Sequence, residues 1–100
     1  MIKHIVMWRV KDSHDGQSKA EMEDEIIRRV HALRGKVDGI LELEAGRDFS
    51  RGEKSFDVAL YSAFRDKKAL DDYQNFPEHV ELKNYIIGAA AERVVVDYEI

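Results

Sequence analysis

Residues Ile2 to Val10 alternate with a period of two, yet both faces of the segment are apolar. One face carries Ile2, His4, Val6, Trp8 and Val10, and the other carries Ile5 and Met7 between Lys3 and Arg9. The period of two predicts a β-strand. Because apolar groups on both faces need cover from both sides, this strand is predicted to lie in the interior of a sheet.

The clearest helix is predicted at residues 18–34. Ser18 and Glu21 fit a capping box, in which each side chain accepts a hydrogen bond from the other residue's backbone N–H. An apolar stripe with helical spacing follows at Met22, Ile26, Ile27, Val30 and Leu33. Gly35 suits the left-handed residue that often ends a helix. The acidic residues Glu21, Glu23, Asp24 and Glu25 are predicted to form a solvated helix face.

The rest of the chain divides into three strands and two helices. Strands are predicted at residues 40–46, 56–64 and 93–100, with a polar, flexible hairpin loop at residues 47–55. A short helix is capped by Asp66 and carries Ala69, Leu70 and Tyr73. A longer helix starts at Pro77, where the missing N–H costs nothing, and stops at Gly88.

The element order, β-α-β-β-α-α-β, predicts a single α+β domain over residues 1–100. With short connections it favours the ferredoxin-like arrangement, a four-stranded antiparallel sheet with helices on one face. The uncovered face is predicted to carry Ile5, Met7, Val58, Leu60, Val94 and Val96. A patch of this size is larger than monomers usually expose. We therefore expect a symmetric homodimer in which a second copy covers the open sheet face.

The charge balance and the missing residue types exclude several classes of protein. Sixteen basic and twenty acidic residues give a net charge of −4, so the chain lacks the basic surface typical of binding to nucleic acid or anionic membranes. The absence of cysteine excludes disulfides, thiolate metal sites and thiol catalysis. The apolar stretch at the N-terminus is too short for a signal peptide or a membrane-spanning helix, which predicts a cytoplasmic protein.

Three segments together resemble one protein family. They are Ile2-Lys3-His4-Ile5-Val6, Gly46-Arg47-Asp48 and Tyr73-Gln74-Asn75-Phe76-Pro77-Glu78-His79-Val80. A histidine in the first strand combined with Tyr-x3-Pro-x-His is similar to the stress-responsive α/β-barrel domain (Dabb) family, and the likeness covers nearly the whole chain. This resemblance implies a ferredoxin-like subunit that pairs into a dimeric α/β barrel.

The resemblance also implies candidate site residues. One plant member of the family is a polyketide cyclase that performs an aldol condensation without a cofactor, using a tyrosine and a histidine six residues apart. Tyr73 and His79 match that catalytic pair. His4 matches a histidine that lines the cyclase pocket, and Val6 and Trp8 match further wall positions. Where the cyclase has a second pocket histidine, this chain has Asp57.

Two interpretations of Tyr73 and His79 are open at this point. In the first, both stabilise the turn at Pro77, with the histidine bonded to a backbone carbonyl. In the second, His79 removes a proton from a carbon beside a carbonyl, and Tyr73 donates a hydrogen bond to the enolate oxygen. His79 shares a helix face with Leu82 and Ile86, so it is predicted to point inward in either case.

His4 and Asp57 are polar residues on otherwise apolar strands, and we expect them to hydrogen-bond to each other on the face that carries Val6 and Ala59. They form either a structural pair or the polar end of a ligand pocket. Together with His79 they include the donors of a two-histidine, one-carboxylate metal site. The resemblance to a cofactor-independent family member nevertheless favours a protein without metal, haem or nucleotide.

Three functions are compatible with these features. The first is a small dimeric barrel protein that binds an apolar or aromatic metabolite between sheet and helices. The second is a cofactor-independent cyclase or lyase with His79 as base and Tyr73 as hydrogen-bond donor. The third is a structural stress protein that assembles beyond the dimer. Trp8 would also fit a haem-degrading oxygenase of related fold, but a single core tryptophan is far more often a packing residue.

Overall fold

A computed structural model describes all residues, 1–100. The strands are β1 (Ile2–Val10), β2 (Ser13–His14), β3 (Gln17–Ser18), β4 (Ile40–Arg47), β5 (Val58–Phe64) and β6 (Ala90–Glu99). The helices are α1 (Lys19–His31), α2 (Lys67–Asn75) and α3 (Pro77–Ala89). The main sheet is antiparallel with the order β4-β5-β1-β6. The predicted ferredoxin-like fold, with β1 in the interior of the sheet, is therefore confirmed.

Helix α1 begins with the predicted capping box. The Glu21 N–H donates to Ser18 Oγ at 3.2 Å, and the Ser18 N–H donates to Glu21 Oε1 at 2.9 Å. The helix ends at His31, three residues before the predicted end, and a turn then leads to Gly35 at φ 75°. Leu33 lies in this turn and is still buried in the core. None of the three helices has the length and hydropathy needed to span a membrane.

The pairing of β1 with β5 decides which residues face the helices. Trp8 pairs with Val58, and Val6 pairs with Leu60. Directly opposed residues share a sheet face, and all four side chains are buried beneath the helices. The prediction that Val58 and Leu60 lie on the open face is therefore wrong.

The open face of the sheet carries the other set of residues. Met7 pairs with Ala59 and with Val94, and Ile5 pairs with Tyr61 and with Val96. Met7, Val94 and Val96 are 39%, 40% and 52% exposed, as no element of the same chain covers them. The apolar open face that the sequence predicts is present, with Ala59 and Tyr61 in place of Val58 and Leu60.

Candidate functional site

A cavity of about 680 Å³ lies between the helix-covered face of the sheet and helices α2 and α3. Its floor is formed by alternate residues of β1, namely His4, Val6 and Trp8, together with Leu60 of β5. The helices contribute Tyr73, His79, Leu82 and Ile86. The cavity thus brings together five of the residues singled out in the sequence: His4, Val6, Trp8, Tyr73 and His79.

The junction between α2 and α3 places Tyr73 beside His79. Asp66 caps α2 by accepting the Ala69 N–H at 2.8 Å, and Tyr73 follows Ala69 by one helical turn on the buried side. Phe76 is extended between the two helices, and Pro77 starts α3. This geometry brings the ring centroids of Tyr73 and His79 to 4.4 Å.

Backbone hydrogen bonds close this junction. The Phe76 N–H donates to the Tyr73 carbonyl at 3.2 Å, and the His79 N–H donates to the Phe76 carbonyl at 2.9 Å. In contrast, the Tyr73 hydroxyl and His79 Nδ1 are buried without a hydrogen-bond partner in the protein, as is Trp8 Nε1. All three atoms belong to side chains that line the cavity. The polar atoms that face the cavity are therefore not used in hydrogen bonds of the junction.

Burial sets the protonation states of the pair. It raises the pKa of the Tyr73 hydroxyl above its usual range, so this group stays protonated and able to donate. Burial also lowers the pKa of His79 from its usual 6.5. A hydrogen bond with the backbone of Gln74 opposes this shift, and the neighbouring His4, Lys83 and Arg93 add to it. At neutral pH His79 is therefore a neutral imidazole with a free ring nitrogen.

The lowered pKa of His79 predicts a pH dependence of stability. Below about pH 6.5 the unfolded chain binds a proton that the folded chain takes up only at lower pH. The free energy of unfolding should therefore fall as the pH decreases through this window, and stop falling below the folded pKa. Urea unfolding from about pH 7.5 to about pH 5 should show a steeper loss for the wild type than for His79→Leu. Parallel profiles for the two proteins would contradict the assignment.

His4 pairs with a carboxylate that the sequence analysis did not identify. Its Nδ1 hydrogen-bonds to Oδ1 of Asp97, its direct neighbour across β1 and β6. Asp97 stands out in the sequence only as a charged residue after three valines. On the other side of His4, across β5, lies Ser62, whose hydroxyl donates to the His4 carbonyl at 2.7 Å.

The predicted hydrogen bond between His4 and Asp57 is wrong, because Asp57 precedes β5 at the opposite end of β1. Its Oδ2 accepts the Val10 N–H at 2.8 Å, and its carboxylate lies 3.3 Å from both Lys19 Nζ and Arg51 Nη1. Asp57 does not line the cavity.

Ala59 does not line the cavity either, because it pairs with Met7 on the open face of the sheet. The predicted pocket is therefore corrected at two positions, Asp57 and Ala59. The two-histidine, one-carboxylate set of His4, His79 and Asp57 is not brought together, and no other group of three His, Asp or Glu side chains is close enough to hold a metal. The absence of a metal cofactor stays a prediction.

A further correction concerns Glu23, which is buried rather than part of a solvated helix face. Its Oε1 lies 3.1 Å from Arg47 Nε, and its Oε2 lies 2.9 Å from Arg51 Nη1. Arg51 also reaches Asp57, so the carboxylates of Glu23 and Asp57 share one cation. This cluster ties α1 to the segment between β4 and β5, which the sequence suggested to be a flexible loop.

Comparison with known proteins places this geometry in context. No curated protein is significantly similar in sequence. Among solved structures, a dimeric ferredoxin-like protein of unknown function from Bacteroides fragilis is 29% identical, with a TM-score of 0.86 over 99% of this chain and 95% of that one. A dimeric ferredoxin-like protein of unknown function from Thermobifida fusca is 20% identical, with a TM-score of 0.84 over 99% and 90% of the two chains.

A third structure shares the fold but has a named activity. The hydroxynitrile lyase from Passiflora edulis is 23% identical to this chain, with a TM-score of 0.79 over 99% of this chain and 92% of that one. At this level of identity the likeness concerns the fold alone. The family model that describes the Stress Responsive A/B Barrel Domain matches residues 2–100. The chain therefore belongs to the stress-responsive A/B barrel domain family.

Proposed function

We propose that this protein binds a small organic molecule with an apolar or aromatic body and an oxygen-bearing end in the cavity between the sheet and helices α2 and α3. The observation that carries the proposal is the convergence of three buried, unpartnered polar atoms on one cavity: Trp8 Nε1, the Tyr73 hydroxyl and His79 Nδ1. An unsatisfied buried polar group costs about 1–3 kcal/mol. A bound ligand whose oxygen forms hydrogen bonds with these atoms would remove this cost.

The shape of the cavity supports the same class of ligand. Pockets for small molecules are concave and mostly apolar, with a few polar groups that fix the orientation of the ligand. Here Val6, Leu60, Leu82 and Ile86 supply apolar walls, and the polar atoms lie among them. A volume of about 680 Å³ falls within the range typical of such pockets.

Tyr73→Phe tests the proposal, because it removes only the unpartnered hydroxyl. We expect the free energy of unfolding to rise by about 1 kcal/mol, since an unsatisfied buried group is lost. We also expect the variant to bind 4-phenyl-2-butanone about threefold to tenfold more weakly, since a hydrogen bond to the ketone is lost. Trp8, the only tryptophan, reports binding by its fluorescence.

Tyr85→Phe is the matched control, because the Tyr85 hydroxyl donates to Gln17 Oε1 at 2.7 Å and lies outside the cavity. It should lower stability and leave binding of the ketone unchanged. If Tyr73→Phe destabilises the protein and binding is unaffected, the hydroxyl has a structural role and the proposal is wrong.

A second candidate function, cofactor-independent proton transfer, is favoured by the neutral imidazole of His79 beside Tyr73. His79 would take a proton from the carbon next to a ketone, and Tyr73 would donate a hydrogen bond to the enolate oxygen that forms. The enolate carbon then attacks a second carbonyl, as in a cyclase, or the proton returns to it. In both cases the proton is first held on the ring nitrogen of His79 and is then returned to carbon or to the new alkoxide.

Hydrogen exchange measures this activity directly. In deuterium oxide, we expect the protein to accelerate exchange of the α-protons of 4-phenyl-2-butanone, followed by NMR. His79→Ala should slow the catalysed exchange by about 10²–10⁴-fold, the contribution typical of a general base. If the wild type exchanges at the rate of buffer alone, this second function is excluded and ligand binding remains.

We infer that the protein is a homodimer in which two copies pack through their open sheet faces. The support is the row of exposed apolar side chains on that face, Met7, Val94 and Val96 among them. The similar proteins from Bacteroides fragilis and Thermobifida fusca are dimeric. Burying each such side chain contributes about 1.5–3 kcal/mol, twice over in a symmetric interface. A cytoplasmic location stays a prediction from the sequence.

A further inference from the structure

Two basic side chains lie on the cavity without an acidic partner. Lys83 of α3 and Arg93 of β6 both line it, and neither takes part in an ion pair. Of the two carboxylates on the same cavity, Glu92 is engaged by Arg9 at 3.1 Å, which leaves Asp71 of α2. The charges that remain unpaired on the cavity therefore sum to a positive value in a protein whose net charge is −4.

Arg93 lies next to Trp8 on the sheet. The two residues are direct partners across β1 and β6, so their side chains leave the same face of the sheet with their Cβ atoms about 5 Å apart. Trp8 is 4% exposed, and its Nε1 has no partner. An indole N–H is only a donor, so the ligand atom that satisfies it must be an acceptor. The adjacent guanidinium favours an acceptor that carries negative charge.

We propose that the ligand of this cavity is an organic acid whose carboxylate binds at Trp8 Nε1 and the Arg93 guanidinium. Lys83, one helical turn after His79 on α3, adds positive potential to the cavity. The apolar body of the acid lies against Leu82 and Ile86, and its other polar group reaches Tyr73 and His79. This inference rests on the proposed ligand-binding function and specifies its substrate class.

The spacing of the two polar ends limits the length of the acid. The His4 ring lies 6.5 Å from the ring of Tyr73, so His4 marks the Tyr73 end of the cavity floor. Trp8 is four residues further along β1, so the backbone positions of His4 and Trp8 are about 13 Å apart at about 3.3 Å per residue. An arylalkanoic or medium-chain oxo acid spans a cavity of this length, whereas acetate or pyruvate does not.

The same charges already act on His79. Burial is the main cause of its lowered pKa, and Lys83 and Arg93 add to it after His4, so both basic side chains influence a group at the Tyr73 end. A carboxylate bound at Arg93 would cancel part of this effect. The pKa of His79 is therefore expected to be higher when an acid is bound than when a neutral ligand of the same shape is bound, because both ligands exclude water to the same extent and only the acid adds a negative charge.

The test compares 4-phenylbutanoate with 4-phenylbutanamide, which have the same shape and differ in charge. Binding is titrated by Trp8 fluorescence and again by calorimetry. Calorimetry also measures binding to Trp8→Phe, which contains no tryptophan. We expect the wild type to bind the acid about fivefold to tenfold more tightly than the amide. This is the effect on affinity expected of one charge-assisted hydrogen bond that is exposed or partly buried. Arg93→Gln should reduce this preference to below about twofold, mainly by weakening binding of the acid. Lys68→Gln, an equal charge change on the outer surface of α2, should keep the preference.

The possible results separate this inference from the function on which it rests. Equal affinity of the wild type for acid and amide would overturn the inference and leave the ligand-binding pocket in place. A preference for the acid that persists in Arg93→Gln would overturn the role of Arg93. If neither compound binds at millimolar concentration, both the inference and the proposed function are wrong. A higher pKa of His79 with the acid bound than with the amide bound, measured by NMR, would support it independently.

Discussion

Val96→Asp is expected to convert the proposed homodimer into a monomer. Val96 is 52% exposed on the open sheet face, next to Ile5 across β1 and β6. In a symmetric dimer, each copy would place an unpaired carboxylate in an apolar interface, at a cost of several kcal/mol per charge. A total above about 3 kcal/mol corresponds to more than a hundredfold weaker association. Sedimentation equilibrium at micromolar concentration measures the change.

Val80→Asp provides the matched control. Val80 is 41% exposed, but it lies on helix α3 rather than on the sheet, so this variant should remain a dimer. The circular dichroism of both variants should match that of the wild type, because neither residue is in the core. A monomeric wild type, or a dimer that survives Val96→Asp, would show that the open face is not the interface.

Replacing both Arg47 and Arg51 with alanine is expected to lower the free energy of unfolding by about 1–3 kcal/mol, since a buried carboxylate loses its charged hydrogen-bond donors. Glu23 is only 2% exposed, and these two guanidinium groups are the cations that contact its oxygens. Without them the carboxylate loses both of its compensating cations. A loss of this size is a large part of the total stability of a small domain, about 5–15 kcal/mol. Urea unfolding at neutral pH measures it.

Adding Glu23→Gln to the double variant should recover part of the loss, because a neutral amide replaces the buried charge. Arg51→Ala alone should cost less than the double change, since Arg47 still contacts Glu23 Oε1 at 3.1 Å. If the double variant is as stable as the wild type, or if Glu23→Gln brings no recovery, the buried ion cluster does not stabilise this end of the molecule.

The cavity residues were predictable from the sequence to different degrees. His79 could be placed inward because it shares a helix face with Leu82 and Ile86, a local pattern. Tyr73 and His4 were found through the family resemblance. Asp97 was missed because its contact with His4 joins residues 93 positions apart, and no local signal indicates such a pair.

Two further features, the β2–β3 hairpin and the burial of Glu23, were not predicted from the sequence. Asp15 and Gly16, at φ 48° and 78°, form the turn of the short β2–β3 hairpin, and Asp-Gly is a strong hairpin signal that the sequence analysis did not use. Glu23 follows the buried Met22 at the edge of the apolar stripe of α1. Its partners there are Arg47, at the end of β4, and Arg51, in the segment after it, which lie 24 and 28 positions away in the sequence.

The main helices and strands, apart from the short β2–β3 hairpin, were determined by local features of the sequence. Periodicity, the Ser18 capping box and Pro77 specify strands and helices through interactions between residues a few positions apart, and the element order then restricts the topology. Tertiary structure alone decided which face of β5 is buried. Both faces of residues 56–64 are apolar, so the period of two is satisfied by either choice. Only the pairing of Val58 with Trp8 turns Val58 and Leu60 toward the helices and leaves Ala59 on the open face.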